Sequence, residues 1–216
     1  MNHPLLMGMV VLLSGCAASP RSPVVLQHLA IETQQAVIVE SLNSSYARVT
    51  TWQREDNLWR RAFGPMRTMV GRQGIAPLNE KREGDGRTPS GIYLIGTAFG
   101  YAPSFPTGLS YRQATKNDFW VDDVNSPQYN QWVTGQPEAI SFEDMRRKDD
   151  LYKYGAVIEY NTKPIVPGHG SAIFIHIWRA PGQFTSGCVA LSPRSLKKLL
   201  GWLDTRRHPV IVLSPP

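Results

Sequence analysis

The sequence predicts a mainly β domain carrying one or two short helices. Gly (18) and Pro (17) together make 35 of 216 residues, about one in six against a usual one in eight, and that punctuation favours a turn-rich chain over a helical bundle. Runs rich in Val, Ile, Thr and aromatic residues recur between clusters of turn formers. The 6 Trp, 8 Tyr and 7 Phe supply the buryable area that disordered segments lack. Without an amino-terminal leader about 200 residues remain, enough for one domain with a sizeable core.

The first apolar run, residues 5–13, is far short of the roughly 20 residues needed to span a bilayer and reads as the core of a signal peptide. It leads into Leu13-Ser14-Gly15-Cys16, which resembles the bacterial lipobox, where the signal is cut before the cysteine and the cysteine carries the lipid. The expected organisation is therefore a signal peptide over residues 1–15, lipidated Cys16 with a tether reaching residue 32, and a folded domain over 33–216. Such an anchor holds a protein on a membrane without a spanning helix. Ala17 stands where an aspartate commonly retains such lipoproteins in the inner membrane, so the periplasmic face of the outer membrane is the expected location in a two-membrane bacterium. An uncleaved apolar segment or an ordinary secretory signal is the alternative.

Beyond the tether, residues 36–39 (AVIV) form a β-branched run, and residues 47–53 pair with it across the turn-like SLNSSY. Residues 58–63 and 66–70 continue the meander, with Gly64-Pro65 as a turn. Gly84-Asp85-Gly86, Thr88-Pro89 and Ser90-Gly91 are dense turn signals before a strand over 92–96. This loop lacks the strand, loop and helix spacing of a phosphate-cradling motif, and a nucleotide site is rejected. Residues 111–150 are polar and irregular, the pattern of a long insertion or lid, with a helix expected near 141–151. The Asp122-Asp123 pair within it suggests a cation site, but without further ligands at loop spacing it reads as a solvated turn.

Residues 156–160 and 171–178 (SAIFIHIW) read as strands. In the second, alternation places Phe174, His176 and Trp178 on one face and Ile173, Ile175 and Ile177 on the other. The clearest helix is near the carboxyl end, where Ser192 is an N-cap, Pro193 sits in the first turn, and Leu196, Leu199, Leu200 and Leu203 recur at i, i+3, i+4 and i+7. Pro209 breaks it, and residues 210–213 form a final strand.

The net charge of +6 survives removal of the leader, because no Lys, Arg, Asp or Glu precedes Cys16. The surplus suits an anionic partner. Nucleic acid is not expected, since there is no dense Lys/Arg cluster or reader motif, and anionic wall polymer or lipid headgroups fit better. Two cysteines exclude a disulfide-rich scaffold and a four-cysteine zinc module. With Cys16 lipidated, Cys188 is the only thiol of the mature chain, so its neighbours decide whether it is packing or chemistry.

Cys188 lies twelve residues after His176, in Thr185-Ser186-Gly187-Cys188, directly before the strand-like Val189-Ala190-Leu191. A strand ending near His176, turning through Pro181-Gly182 and returning through Cys188 would bring imidazole and sulfur together. A thiol of pKa near 8.5 is only a few per cent ionised at neutral pH, and a histidine that takes its proton raises the reactive fraction. Gly187 allows close approach of an acyl group, and the N–H groups of Gly187 and Cys188 could form an oxyanion hole. A zinc trio of His169, His176 and Cys188 is a second reading of the same residues. Trp178 and Trp202 are read as packing, or Trp178 as a wall of the pocket.

Taken together, KREGDGRTPSGIYLIGTAFGY, the WVDD segment with Ser126 and Tyr129-Asn130, and GSAIFIH followed by TSGCVALS resemble successive blocks of the YkuD-type L,D-transpeptidases that act on bacterial peptidoglycan. The resemblance covers most of residues 33–213. It implies a β-sandwich-like catalytic domain without a cofactor, in which Cys188 is the nucleophile, His176 its base and Gly187 part of the oxyanion turn. It also implies a role in cell-wall biogenesis and cell shape. The better-known members have His where this chain has Ser186, and often Arg or Asn where it has Ala190. Ser186, Trp178 and Arg179 are the candidate substrate contacts, with Arg87, Arg112 and Lys163 as further cations for substrate carboxylates.

The implied reaction is attack of Cys188 on the L-centre carbonyl of a tetrapeptide stem, loss of D-alanine, and passage of the acyl group to an amine. Hydrolysis by the same site, as an L,D-carboxypeptidase or endopeptidase, and an inactive wall-binding lipoprotein are the alternatives. Carbapenems are the expected covalent inhibitors.

Overall fold

A computed structural model of the chain describes residues 22–43 and 45–215; the apolar leader and Cys16 lie outside the described residues. The chain packs earlier than the expected tether allowed. A 3-10 turn at Val24–His28 buries Leu26 completely, among Ala36, Ile38, Trp52, Val210 and Val212. The Trp59 indole N–H donates to the Leu26 carbonyl at 2.8 Å. In sequence Val25, Leu26 and Leu29 fall within the expected tether, but in the fold they cover a face of the domain.

Among the described residues there are twelve strands and one α-helix. They run β1 (Gln35–Ser41), β2 (Tyr46–Glu55), β3 (Leu58–Met69), β4 (Gly91–Gly100), β5 (Tyr111–Gln113), β6 (Asp118–Val121), β7 (Trp132–Thr134), β8 (Phe142–Asp144), β9 (Tyr154–Ile158), β10 (Phe174–Ile177), β11 (Val189–Leu191), α1 (Pro193–Trp202) and β12 (Val210–Ser214). The mainly β class is as the sequence predicts. Nine strands form one sheet in the order β12-β1-β2-β3-β11-β10-β9-β4-β5, and β12 also pairs β4. With β1 on one edge of β12 and β4 on the other, the sheet closes on itself, and the sandwich-like layers are one continuous wall. A second sheet, β7-β6-β8, is built by the polar insertion.

Two local expectations change. Gly64-Pro65 is not a hairpin turn but a bulge inside the single long strand β3, where pairing shifts between Val49–Met66 and Thr51–Phe63. Gly64 sits at φ +102, and a Cβ there would meet the Val49 carbonyl at 2.9 Å. The helix expected near 141–151 is absent, because Phe142–Asp144 pairs with β6 instead. Tertiary strand pairing overrides a local pattern of helix formers there.

Strand β10 divides the interior as its alternation predicts. Ile173, Ile175 and Ile177 belong to the core that also takes Val37, Val49, Leu191 and Ile211. Leu196, Leu199 and Leu200 of α1, and Leu203 just past its end, pack into that same core, and α1 lies against β9 and β10. Its start is fixed as the sequence indicates, with the Ser192 hydroxyl accepting from Ser195 N at 3.2 Å. Phe174, on the opposite face of β10, joins Phe99, Trp120, Tyr152, Met145 and Cys188 in a second cluster. This layer lies between the closed sheet and the small β7-β6-β8 sheet, so residues 111–150 cover the side of the wall that carries Cys188.

Candidate active site

Parallel pairing of β10 with β11 sets the site. The register matches Ile175 with Val189, His176 with Ala190 and Ile177 with Leu191. Continued by one residue, it brings Cys188 level with Phe174, on the same face as His176 and one pleat along. Both side chains line a cavity of 220 Å³, together with Glu143, Arg147, Tyr152, Arg179 and Ser186.

The two are brought together, yet no hydrogen bond joins them. The thiol donates to the Ala172 carbonyl at 3.2 Å and accepts from Phe174 N–H at 3.4 Å. Burial, reinforced by the charge of Glu143, pushes the Cys188 thiol up to about 12. Burial also lowers the His176 imidazole to about 4. The resting site is therefore a neutral thiol beside a neutral imidazole. His176 Nδ1 lies 2.7 Å from the Ile177 carbonyl. A carbonyl can only accept, so Nδ1 carries the proton and Nε2 presents a lone pair. The Tyr152 ring, 5.3 Å away edge-on, packs against the imidazole.

The turn before Cys188 is closed by Thr185, whose hydroxyl donates to the Cys188 carbonyl at 2.7 Å and accepts from Gly187 N–H at 3.1 Å. The Gly187 amide is thus engaged inside the turn, not free to meet an oxyanion. Gly187 itself has φ +156, and a Cβ there would lie 3.0 Å from the Arg87 carbonyl and 3.2 Å from Ile173 Cδ1. The EGDGR block supplies that buttress. Asp85 fixes it by accepting from Lys81 Nζ, Arg82 N and Arg87 N, each at 2.8 Å.

A second cavity, of 350 Å³, opens on the other side of the cysteine and is walled by Arg72, Lys81, Glu83, Asp122 and Ser171 as well as Glu143, Ser186 and Cys188. The Tyr129-Asn130 pair pins the insertion here. Tyr129 OH donates to Glu83 Oε2 at 2.6 Å. Asn130 Oδ1 accepts from Trp120 Nε1 and from Ala172 N at 2.9 and 3.1 Å, which holds the segment whose carbonyl accepts the hydrogen bond from the thiol. The sequence does not point to Glu143, Arg147 or Tyr152 as site residues. No short motif marks them, since β8 and the following turns reach the site only through the fold.

The L,D-transpeptidase catalytic domain family, YkuD, matches residues 36–212. The chain belongs to this family. No curated protein matches it. One solved structure, the helical cell shape determining protein Pgp2 from Campylobacter jejuni, is similar at 16% identity over 83% of this chain and 46% of that chain, with a TM-score of 0.42. The chain therefore spans about half the length of that structure.

Within this L,D-transpeptidase domain the remaining expected contacts separate. Ser186 lines both cavities and Arg179 the first. Trp178 is in neither wall; its amide extends the β10–β11 pairing to the Leu191 carbonyl at 2.8 Å. Arg112 is committed elsewhere, bonded to Asp118 at 3.0 Å and stacked 4.3 Å over Trp132. Arg87 offers its backbone to Gly187 while its guanidinium faces Glu80 at 4.0 Å. Lys163 and His169 line a different cavity with Tyr93 and Tyr160, so the zinc trio of His169, His176 and Cys188 is not assembled. Arg147 joins Arg179 instead, and both are held by Asp149 at 2.8 Å.

Proposed function

We propose that this domain performs cysteine-dependent acyl transfer on peptidoglycan stem peptides. The observation that carries the reading is the shared cavity of Cys188 and His176, with Nδ1 anchored on Ile177 O so that Nε2 is the nitrogen left to take the thiol proton. Because the resting thiol points at Ala172 O, substrate binding must turn Sγ toward the imidazole; catalytic hydrogen bonds commonly tighten only in the substrate complex. Sγ then attacks the L-centre carbonyl, and the Cys188 N–H is the turn amide offered to the developing oxyanion. His176 returns the proton to the departing D-alanine amine, leaving a thioester. Arg147 and Arg179 are suited to the carboxylate of that leaving group.

Two cavities that meet at Cys188 favour transfer to a second stem over simple hydrolysis, because each reactant has its own approach. The leader and the Leu13-Ser14-Gly15-Cys16 boundary support a lipid anchor on Cys16, at the periplasmic face of an outer membrane. The test is to incubate the domain with purified tetrapeptide muropeptides and follow products by mass. Cross-linked dimers are expected, and tripeptide alone would mean an L,D-carboxypeptidase. A folded Cys188→Ala protein should form neither, and His176→Ala should be slower by roughly two orders of magnitude or more. Turnover by Cys188→Ala defeats the reading. An intact site should also give a single carbapenem adduct on Cys188.

A further inference from the structure

The two cavities differ in the charge they offer and in the base they contain. Only Glu143, Ser186 and Cys188 belong to both walls. His176 faces the first cavity alone, beside Arg147 and Arg179. The second is lined by the carboxylates of Glu83, Asp122 and Glu143. Its two cations, Lys81 on Asp85 at 2.8 Å and Arg72 on the Gly84 carbonyl at 3.2 Å, are outnumbered by those three carboxylates. Asp122 Oδ1 is buried and has no partner, whereas both oxygens of neighbouring Asp123 are used in the turn, accepting from Asn125 N and Ile140 N at 3.0 Å. The WVDD block thus splits into one structural carboxylate and one on the cavity wall.

We propose that the acceptor amine approaches through this acidic cavity and that Glu143 takes its proton in the second half of the reaction. The inference rests on the acyl-transfer reading above. An amine arrives as an ammonium ion at neutral pH and cannot attack until it loses a proton. On this side of the cysteine the base it meets is a carboxylate, not the imidazole. Glu143 Oε2 accepts the Tyr152 hydroxyl and lies 3.8 Å from Arg147, while Oε1 has no donor among the described residues. Burial, with the charges of Asp122 and Glu83, raises the Glu143 carboxyl above its ordinary value despite the Tyr152 hydrogen bond and Arg147, which strengthens it as a base.

The protons balance. Glu143 removes one from the ammonium, and the amine nitrogen forms its bond to the thioester carbon. The C–S bond breaks, the electron pair returns to Cys188 Sγ, and a second proton passes from the nitrogen to the thiolate. The products are an amide, a neutral thiol and a protonated Glu143 that loses its proton to solvent.

The experiment compares wild type with Glu143→Gln, using a tetrapeptide muropeptide as donor and either a second muropeptide or hydroxylamine, which is uncharged at neutral pH, as acceptor. The acyl adduct should still form in the variant. Its ratio of cross-link to hydrolysis should fall at least about tenfold with the ammonium acceptor and much less with hydroxylamine. Glu143→Asp, which keeps a carboxylate, should recover most of the loss. A ratio unchanged in Glu143→Gln, an equal loss with both acceptors, or no recovery in Glu143→Asp overturns the proposal. If Glu143→Gln does not fold, Asp122→Asn carries the test: KM for the ammonium acceptor should rise several-fold with hydroxylamine transfer unaffected, and an unchanged KM overturns it. Wild type that acylates but never transfers to any amine would instead defeat the acyl-transfer reading, and this proposal with it.

Discussion

If the Cys188 thiol is held neutral by burial, its chemical reactivity must climb with pH across the whole neutral range. Burial and Glu143 push it up to about 12 from an ordinary 9.0. At pH 7 roughly one thiol in a hundred thousand is then ionised, against roughly one in a hundred for an unperturbed thiol. Imidazole does not reverse this, because His176, lowered to about 4, is uncharged at pH 7 and supplies no cation to hold a thiolate. The perturbation is pH itself, applied to the substrate-free protein, and the assay is the rate of iodoacetamide labelling followed by intact mass, with Cys188→Ala as the blank. The rate should rise about tenfold per pH unit from 7 to 10 without a plateau, and should lie about a thousandfold below that of a small exposed thiol at pH 7. A rate flat between pH 5 and 9 would mean a resting thiolate–imidazolium pair and would refute the reasoning.

Three further outcomes follow from the same residues. The folded state excludes a proton from His176 down to about pH 4, while the unfolded chain binds it below 6.5; stability from this group is complete above 6.5 and is lost as pH falls toward 4, by about 3 kcal/mol. Urea unfolding of wild type should show that extra acid sensitivity relative to His176→Gln, and parallel pH profiles would exclude it. Ser192→Ala removes the hydroxyl that accepts Ser195 N and should cost about 1 kcal/mol, a fall of roughly 2–4 °C in Tm, whereas Ser192→Gly should cost only a few tenths. Cys16→Ser should release the protein from membranes or leave an unprocessed precursor, and unchanged pelleting with unchanged mature mass would remove the lipid anchor from the account.

What was legible in the sequence was whatever depends on neighbours a few residues away. The alternation of SAIFIHIW sorts β10 into its two faces, and the Ser192-Pro193 start with leucines at helical spacing fixes α1, because each is a local periodicity with a local cap. The same reasoning failed at residues 141–151. There a strand forms because Phe119 and Val121 of β6 lie opposite Asp144 and Phe142, twenty or more residues upstream. Closure of the sheet was equally hidden, since it depends on β12 reaching both β1 and β4.

The site divides along the same line. Cys188 and His176 are legible as a pair because a short connection joins two adjacent parallel strands, but their protonation is not. A Cys/His motif alone suggests activation by proton transfer at rest. The actual balance is set by Phe174, Tyr152 and the aromatic layer of Phe99 and Trp120 that the insertion folds over them, which removes water from both groups and disfavours both charges. In the proposed acyl transfer, activation is thereby deferred to the substrate. On the proposed reading, a stem that took up the Ala172 carbonyl, or displaced Sγ from it, would free the thiol proton for His176 Nε2 inside a cavity where a new ion pair would be strengthened by the low polarity around it. The layer that holds the resting cysteine neutral would then be the one that makes its thiolate, once formed, a strong nucleophile in the proposed reaction.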